Sequence, residues 1–286
     1  MPPIETTPAR ALPTIWELPD ELWERIEPIL ERRYPRAGTG RPRAELRLVL
    51  EGIIYRLRSG VQWNQLPRRF GADSTVHAWF QRFVEDGVLE EIWAELVRQC
   101  DELGAVGWAW QAADGVMGKS RFSGGARGPN PTDRAKMGTK KSVLVEERGG
   151  PLAVEIDGAN VHDTKLLART IDAIVIERPE PGQVTQNLCL DKGYDNPTGE
   201  ATCAAAGYGA HIRRIGEEKL DSLSEKTHPA HRWVVERTIA WLQKCRALLI
   251  RYDKKSQNYR GLIQLACALL WYRRLHHLNQ PDRVSG

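Results

Sequence analysis

The stretch HRWVVERTIAWLQK, residues 231–244, predicts an amphipathic helix with one wall in a core and charged residues beside it. At about 100° per residue, Arg232 and Glu236 lie one turn apart on one line, and Gln243 falls nearly in line with them. The apolar face beside that line comprises Val234, Val235, Thr238, Trp241, Leu242 and Cys245. Arg232 and Glu236 could form only an intrahelical ion pair, or Glu236 could face a cleft. The rest of the chain has to decide between these two interpretations.

The hydrophobic pattern after Gly107 changes from a helical period to a strand-like period. It predicts strands at residues 108–116, 141–147, 151–157, 186–191 and 208–214, and helices at 163–177, 197–206, 230–247 and 258–277. Three sequential strands followed by alternating helices and strands are the order of a ribonuclease-H-like fold. The sequence therefore predicts an α/β domain at residues 108–286: a ribonuclease-H-like mixed sheet with flanking helices, closed by a C-terminal helix.

The chain before Gly104 has a different pattern. Residues 1–15 are rich in Pro, Thr and Ala without periodicity, and we expect them to be disordered. Residues 16–104 predict an all-helical N-terminal domain, and the segment Gly104 to Gly107 is typical of a linker.

One segment of this helical domain, VQWNQLPRRFGADSTVHAWFQRFVEDG at residues 61–87, is more specific. It predicts a short helix, a turn at Gly71 and a helix that begins near Ser74. The second helix has an apolar set of Val76, Trp79, Phe80 and Phe83, and an outward set of Thr75, His77, Gln81 and Arg82. This outline is typical of a helix-turn-helix, whose second helix would enter the major groove of DNA. A plain helical hairpin that packs on the next domain, or mediates dimerisation, fits the pattern equally well.

The composition excludes several classes of protein. Five cysteines are scattered without a CxxC pair, which indicates reduced core residues and neither a disulfide framework nor a zinc site. No stretch approaches the roughly 18 apolar residues of a membrane span, and the N-terminus lacks the apolar core of a signal peptide. We therefore expect a cytoplasmic protein without a membrane partner.

The net charge of +4 is modest, but the basic residues are concentrated in two regions. The basic residues that flank the candidate site segments are Lys119, Arg121, Lys140 and Lys141 in one region, and Arg251, Lys254 and Lys255 in the other. Such runs are usually solvated surface, but two of them beside candidate site segments indicate a polyanionic partner. We expect that partner to be nucleic acid.

Three carboxylates could meet at one edge of the predicted sheet. Asp114 is expected at the end of the first strand and Asp191 at the end of the fourth, and Glu236 can reach the same edge from its helix. Oxygen ligands of this kind suit magnesium, which leaves coordination positions for water and a substrate phosphate. Two divalent cations would balance the three carboxylates together with the negative charge of a scissile phosphodiester. The three residues together therefore predict a metal site, although Asp114 alone would be an ordinary turn residue.

Other polar residues are weaker candidates. His162 and Asp163 could reach the cleft, but Asp163 is equally well explained as a helix N-cap. Asp157, at the end of a strand, competes for a ligand position.

The chain resembles the DDE transposases of bacterial insertion sequences, specifically the insertion-sequence-five family. The likeness covers nearly the whole length, and the segments that carry it are LPDELWERIEPIL, GRPRAELRLVLEGIIYRLRSGVQWNQLP, TVHAWFQRFVEDGVLEEIW, GGPLAVEIDGANVHDTKLL, LDKGYDN, RWVVERTIAWL and LACALLWYRRL. The family's tyrosine, arginine, glutamate and lysine signature is only partly kept. Arg232 and Glu236 match it, but Pro229 stands at the tyrosine position and Gln243 at the lysine position, with Lys244 one residue later.

The resemblance implies that Asp114, Asp191 and Glu236 are the catalytic triad and that Arg232 belongs to the same site. It further implies a bacterial, nucleoid-associated DNA transposase that uses two Mg²⁺ ions, for which Mn²⁺ can substitute. Its partners would be double-stranded DNA, at the terminal inverted repeats and at the target, and a second copy of the chain in a homodimer. A non-catalytic DNA-binding protein on the same scaffold and a structure-specific nuclease are the alternatives.

Overall fold

A computed structural model of the protein describes residues 14–36, 38–40, 42–212 and 232–279, except for the side chain of Arg232. The helices are α1 (Asp20–Arg33), α2 (Leu46–Ser59), α3 (Asp73–Glu85), α4 (Val88–Glu102), α5 (Asp163–Asp172), α6 (Pro197–Ala205), α7 (Arg232–Gln243) and α8 (Ser256–Leu278). The strands are β1 (Trp110–Ser120), β2 (Gly128–Pro129), β3 (Met137–Glu146), β4 (Pro151–Gly158), β5 (Gln186–Leu190), β6 (Tyr208–Ile212) and β7 (Ile250–Arg251).

The strands form one mixed sheet with β1 near its centre. On one side β1 pairs antiparallel with β3, and β3 pairs antiparallel with β4. On the other side β1 pairs parallel with β5, and β5 pairs parallel with β6. The two-residue strands β2 and β7 add to β3 and β1. This order, with three antiparallel strands followed by two parallel ones, confirms the predicted ribonuclease-H-like fold with flanking helices.

Strand β1 differs from its predicted bounds. It extends to Ser120 and does not end at Val116, because its backbone pairing with β3 continues from Asp114 opposite Val143 to Lys119 opposite Gly138. Asp114 therefore lies inside a strand and not at its end. The fifth helix, predicted to reach residue 177, ends at Asp172.

Some predicted bounds lie outside the described residues. They are the disorder of residues 1–13, the end of β6 at residues 213–214 and the start of α7 at residues 230–231.

The C-terminal helix α8 joins the N-terminal helices to the sheet. It packs against α4, α3 and β4. The indole nitrogens of Trp93 on α4 and Trp271 on α8 both donate to the carbonyl oxygen of Pro151, at 3.1 and 2.6 Å. The buried apolar residues accordingly form one cluster that runs through both the helical region and the sheet. Within the described ranges, no helix combines the length and the apolar character that crossing a bilayer requires.

A buried ion pair also links α2 to the segment before α8. Arg56 Nη2 lies 3.1 and 3.3 Å from the two carboxylate oxygens of Asp253, and both side chains are less than a tenth exposed. The guanidinium lies 4.6 Å from the ring centroid of Trp63. Burial lowers the pKa of Arg56, and the charge of Asp253 opposes that shift. This pair therefore holds two distant parts of the chain together at the cost of desolvating two charges.

We expect Arg56→Met to lower the free energy of unfolding by about 3–5 kcal/mol, because it leaves the Asp253 carboxylate buried without its partner. Urea denaturation followed by circular dichroism measures this loss. The matched control is Arg98→Met, which removes an exposed pair with Glu95 and should cost about 0.5 kcal/mol or less. A loss for Arg56→Met no larger than that of the control would contradict the structural role of the pair.

Candidate active site

The two aspartates of the predicted triad lie level with each other on neighbouring strands. In the parallel pairing of β1 with β5, Ala112 is opposite Cys189. Asp191 directly follows β5, and extending this register by two residues along each chain brings Asp114 level with it. Because side chains alternate along a strand, both carboxylates project from the same face as Ala112 and Cys189.

Backbone N–H groups of neighbouring glycines hold both carboxylates, which are half-buried. Asp191 follows the last residue of β5 and caps a short 3₁₀ turn, accepting a hydrogen bond from the backbone N–H of Gly193 at 2.9 Å. Asp114 accepts one from the backbone N–H of Gly115 at 2.7 Å. One oxygen of each carboxylate is thereby oriented by the backbone.

Glu236 lies on α7, which packs against β1 and β3. The inward face of α7 is the predicted one: Val234, Val235, Thr238 and Leu242 are buried. Thr238 Oγ1 donates to the carbonyl oxygen of Gly149 at 2.7 Å, which fixes the helix to the turn between β3 and β4. Glu236 is exposed beside that face, and Arg232 is the first residue of the helix. The structure thus places the carboxylate on a helix next to the strand that carries Asp114.

Tyr194 and Asp163 adjoin the two aspartates. The sequence indicated that Asp163 could reach the cleft, but it gave no role to Tyr194. Tyr194 is 1% exposed, and its hydroxyl has no hydrogen-bond partner within the described part of the chain. Burial raises the pKa of Tyr194, and the negative charges of Asp163, Asp114 and Asp191 raise it further. The phenol therefore lies close enough to all three carboxylates to feel their charge.

Asp163 is held against the backbone beside Asp114. Its Oδ2 lies 2.8 Å from Lys140 Nζ, and its buried Oδ1 has no hydrogen-bond partner among the described residues. A Cβ atom added at Gly115 would lie 2.2 Å from that Oδ1. The predicted role of Asp163 as the N-cap of α5 is wrong, because the cap is His162, whose side chain accepts from Thr164 N. This cap leaves Asp163 to pair with Lys140.

The donor chemistry around these aspartates fits a divalent cation. Asp114 and Asp191 supply two carboxylates at one sheet edge, and the orphaned Tyr194 hydroxyl and Asp163 Oδ1 are buried polar atoms beside them. Within the described ranges, however, no three His, Cys, Asp or Glu side chains are arranged so that they could hold a metal ion together. The competing candidate Asp157 is engaged elsewhere, since its Oδ2 lies 2.6 Å from Arg169 Nη1.

Three of the basic residues predicted to bind DNA are buried, and the prediction is wrong for them. Lys140 pairs with Asp163, and Lys141 Nζ donates to the carbonyl oxygen of Leu248 at 3.1 Å. Burial lowers the pKa of Lys141 to about 8. Arg251 is 1% exposed and donates to four backbone carbonyl oxygens and to a threonine hydroxyl. Side chains enclosed in this way cannot reach a DNA phosphate.

The other four basic residues remain at the surface. Arg121 and Lys254 are exposed. The side chain of Lys119 is 51% exposed and lies 3.8 Å from Asp133, and that of Lys255 is 53% exposed and lies 3.2 Å from Glu85. Exposed ion pairs of this kind are weak enough to be exchanged for phosphate contacts.

The four outward residues predicted on α3 differ in exposure. Thr75 and Arg82 are exposed, and Arg82 lies over the rings of Tyr34 and Trp79. His77 and Gln81 are half-buried, with 3.0 Å between their side-chain nitrogens. The His77 ring also stacks on Trp63 at 4.6 Å between centroids. The apolar set of Val76, Phe80 and Phe83 is buried as predicted.

Comparison with known proteins identifies the family. Residues 18–93 match a family model described as "Putative transposase of IS4/5 family", and residues 100–271 match the model "Transposase DDE domain". The second match alone spans more than half of the chain. The chain therefore belongs to the transposases that have a DDE domain. The N-terminal match places it among those of the IS4/5 type.

Curated relatives agree with this assignment. The chain is 33% identical over 168 residues to a protein of Burkholderia cepacia described as "Putative transposase for insertion sequence element IS402". That match covers 58% of this chain and 77% of the relative. A second relative, the protein y4sN of Sinorhizobium fredii, is 39% identical over 87 residues, or 29% of this chain and 66% of that protein.

Solved structures give a weaker likeness. The catalytic domain of the Mos1 mariner transposase has a TM-score of 0.28 and 11% sequence identity, covering 66% of this chain and 94% of that one. The Mos1 paired end complex with Mn has a TM-score of 0.27 and 11% identity, covering 88% of this chain and 86% of that one. These scores are too low to carry an argument about the site.

The close approach of Asp163 to Gly115 can be tested by stability. We expect Gly115→Ala to cost about 1–3 kcal/mol, because the new Cβ overlaps a carboxylate that Lys140 holds in place. Chemical denaturation measures the cost, and Asp163→Ala in the same background should recover part of it. The matched control is Gly118→Ala, whose Cβ would make only ordinary contacts, the nearest at 3.5 Å. Equal costs at Gly115 and Gly118 would contradict the arrangement.

Proposed function

We propose that this transposase binds the terminal inverted repeats of an insertion sequence and catalyses metal-dependent DNA cleavage and strand transfer. The observation that carries the proposal is the level placement of Asp114 and Asp191 on parallel strands. Ligands of α/β sheets bind outside the carboxyl ends of parallel strands, where Asp191 lies. Glu236, on a helix packed against β1, is the third carboxylate.

Asp114, Asp191 and Glu236 would hold two Mg²⁺ ions, replaceable by Mn²⁺, which supply Lewis-acid chemistry at the scissile phosphodiester when bound. The absence of a side chain at Gly115 leaves room for the Asp163 carboxylate beside Asp114. Arg232, one turn before Glu236, orients that carboxylate or grips a non-bridging phosphate oxygen with its planar guanidinium. The Lys140–Asp163 pair and Tyr194 support the wall of the site from behind.

The reaction that these groups serve has two phosphoryl-transfer stages. Water first attacks the phosphodiester at an end of the element and frees a 3′ hydroxyl. That hydroxyl then attacks a phosphodiester of the target DNA and loses its proton. The new phosphodiester joins the element to the target, and the bond from that phosphorus to the target's 3′ oxygen breaks, so that the 3′ oxygen leaves and takes up a proton. Neither stage requires a covalent bond between the protein and DNA.

The partner is double-stranded DNA at the terminal inverted repeats and at the target. An element has two ends to be cut and joined, and each chain supplies one set of carboxylates. In a homodimer bound to DNA, each of the two chains would therefore act on one end of the element.

The DNA interface divides into two kinds of contact. Lys119, Arg121, Lys254 and Lys255 are accessible and would contact phosphates, which supplies affinity without sequence information. The outward side of α3, with the exposed Thr75 and Arg82 and the half-buried His77 and Gln81, would read base edges in the major groove.

We expect Asp114→Ala, Asp191→Ala and Glu236→Ala each to abolish cleavage and strand transfer while leaving DNA affinity nearly unchanged, because each removes a metal ligand and no phosphate contact. A Mg²⁺-dependent assay on duplex DNA carrying the element's ends measures nicking and joining separately. Asp157→Ala is the matched control and should retain activity, since Arg169 already engages that carboxylate. Cleavage within about tenfold of the parent for a triad variant would remove that residue from the site.

Two other outcomes of this assay identify different functions. Cleavage by the parent protein without strand joining would identify a structure-specific nuclease. Binding to the element's ends without any cleavage would identify a non-catalytic DNA-binding protein.

The recognition role of α3 predicts a second set of effects. Arg82→Ala and Gln81→Ala should weaken binding to the terminal repeats by about 1–3 kcal/mol and bind scrambled duplexes as the parent does. Lys254→Gln should weaken both duplexes equally and reduce the slope of log affinity against log salt by about 0.9. Fluorescence titrations at several salt concentrations measure both effects. Equal losses on both duplexes for the α3 variants would assign the N-terminal helices to packing or dimerisation.

A further inference from the structure

A cavity of about 1180 Å³ lies between the N-terminal helices and the catalytic unit. Its wall includes the end of α2, the C-terminal end of α7 and the last turns of α8. The turn between β3 and β4, which holds α7, forms another part of the wall. The cavity thus lies beside the helix that carries Glu236, but neither Asp114 nor Asp191 lines it.

The lining of this cavity is strongly cationic. Six of its side chains are basic, namely Arg58, Arg69, Lys244, Arg246, Arg273 and Arg274, and no Asp or Glu lines it within the described residues. Arg274 has a carboxylate behind it, since its Nη1 lies 2.7 Å from Glu146 Oε1. Arg69 reaches Glu17 only at 4.0 Å. Among the residues that the structure describes, the lining of the cavity therefore carries an excess of positive charge, which favours an anionic occupant.

The contacts of individual basic side chains also show more positive than negative charge around the cavity. Arg58 donates to the carbonyl oxygen of Ile15 at 3.3 Å and to Cys245 Sγ at 3.2 Å, both neutral groups. Lys244 and Arg246 are exposed at the end of α7. Burial lowers the pKa of Arg273, which also has an interaction of its own, and the positive charge of Arg58 lowers that pKa further. A phosphate group in the cavity would offset this mutual repulsion.

Aromatic faces accompany the charges. Trp16 is 43% exposed, and Tyr55 and Trp241 are half-buried in the cavity wall. The rings of Trp16 and Tyr55 lie 5.9 Å apart, and Arg69 lies 5.6 Å from the Tyr55 centroid. The exposed ring of Trp16 and the accessible parts of Tyr55 and Trp241, next to guanidinium groups, are the kind of surface on which unpaired bases stack.

We propose that this cavity binds an unpaired segment of DNA strand, with its phosphates on the basic side chains and a base against Trp16, Tyr55 or Trp241. The proposal rests on the proposed function, because strand cleavage produces a free end that can leave the duplex. A paired duplex hides its base faces by stacking, so only an unpaired strand can use the aromatic rings. Lys244 lies about 12 Å along the α7 axis from Glu236, so one strand can span both sites.

The test uses the full-length protein and a single-stranded oligothymidine in which one base is 5-bromodeoxyuridine. After irradiation, mass spectrometry of the digested complex should find the crosslink on peptides that contain Trp16, Tyr55 or Trp241. The double variant Lys244→Gln/Arg246→Gln should weaken single-strand binding about tenfold and reduce its salt slope by about 1.4. Trp241→Ala should also weaken it about tenfold, with recovery in Trp241→Phe, whose ring restores stacking.

The matched control is Arg98→Gln, which removes an exposed arginine on α4 that does not line the cavity. Crosslinks confined to other surfaces, or equal losses in Arg98→Gln and the double variant, would overturn the proposal. Complete competition by inorganic phosphate at the concentration of the oligonucleotide would reveal a simple anion site and would also overturn it.

Failure here can be distinguished from failure of the proposed function. Asp114→Ala should keep the crosslink and lose nicking. The cavity variants should keep Mg²⁺-dependent nicking of the duplex and lose the crosslink.

Discussion

The parallel pairing of β1 with β5 is the constraint on which the candidate active site depends. Its register sets Asp114 level with Asp191, although the two residues are far apart in the sequence. A slip of one residue would turn one carboxylate to the opposite face of the sheet. The antiparallel pairing of β1 with β3 fixes the other side of the strand, and Ala112 and Ala113 are buried in its middle. Hydrogen bonds on both edges of β1 thus define where the first aspartate lies.

The elements around β1 explain how α7 can keep its buried face packed and still present Glu236 on its exposed side. The buried face of α7 lies on β1 and β3, and Thr238 ties it to the β3–β4 turn. Helix α8 then connects that sheet to the N-terminal helices through the two tryptophans that share the Pro151 carbonyl oxygen. One apolar core runs through both regions, so the N-terminal helices and the sheet pack against each other.

Local sequence patterns predicted much of this arrangement because they act over short distances. The apolar face of α7 follows from the helical period, and the buried run before Asp191 follows from the strand pattern. The order of strands and helices then predicted the mixed sheet. The greater length of β1 was missed, because Gly115 and Gly118 weaken the strand pattern and the pairing with β3 decides the outcome.

The parts that sequence did not predict depend on tertiary distance. Lys140 and Lys141 looked like phosphate contacts because they lie in a basic run, but the sheet encloses them between β1 and β4. Tyr194 follows Asp191 in the sequence, and only the fold buries it within the electrostatic influence of Asp163 and Asp114. The N-cap pattern at residues 162–163 could have been assigned to His162, which would have left Asp163 available as a candidate site residue.

The central claim is that Asp114, Asp191 and Glu236 bind metal ions as one site. Anomalous diffraction from crystals of the DNA complex grown with Mn²⁺ tests it most directly. The account predicts anomalous peaks within coordination distance of Asp114 and Asp191, with Glu236 as a further ligand of at least one ion. Peaks located only at other carboxylates, or no peak beside Asp114 and Asp191, would contradict it.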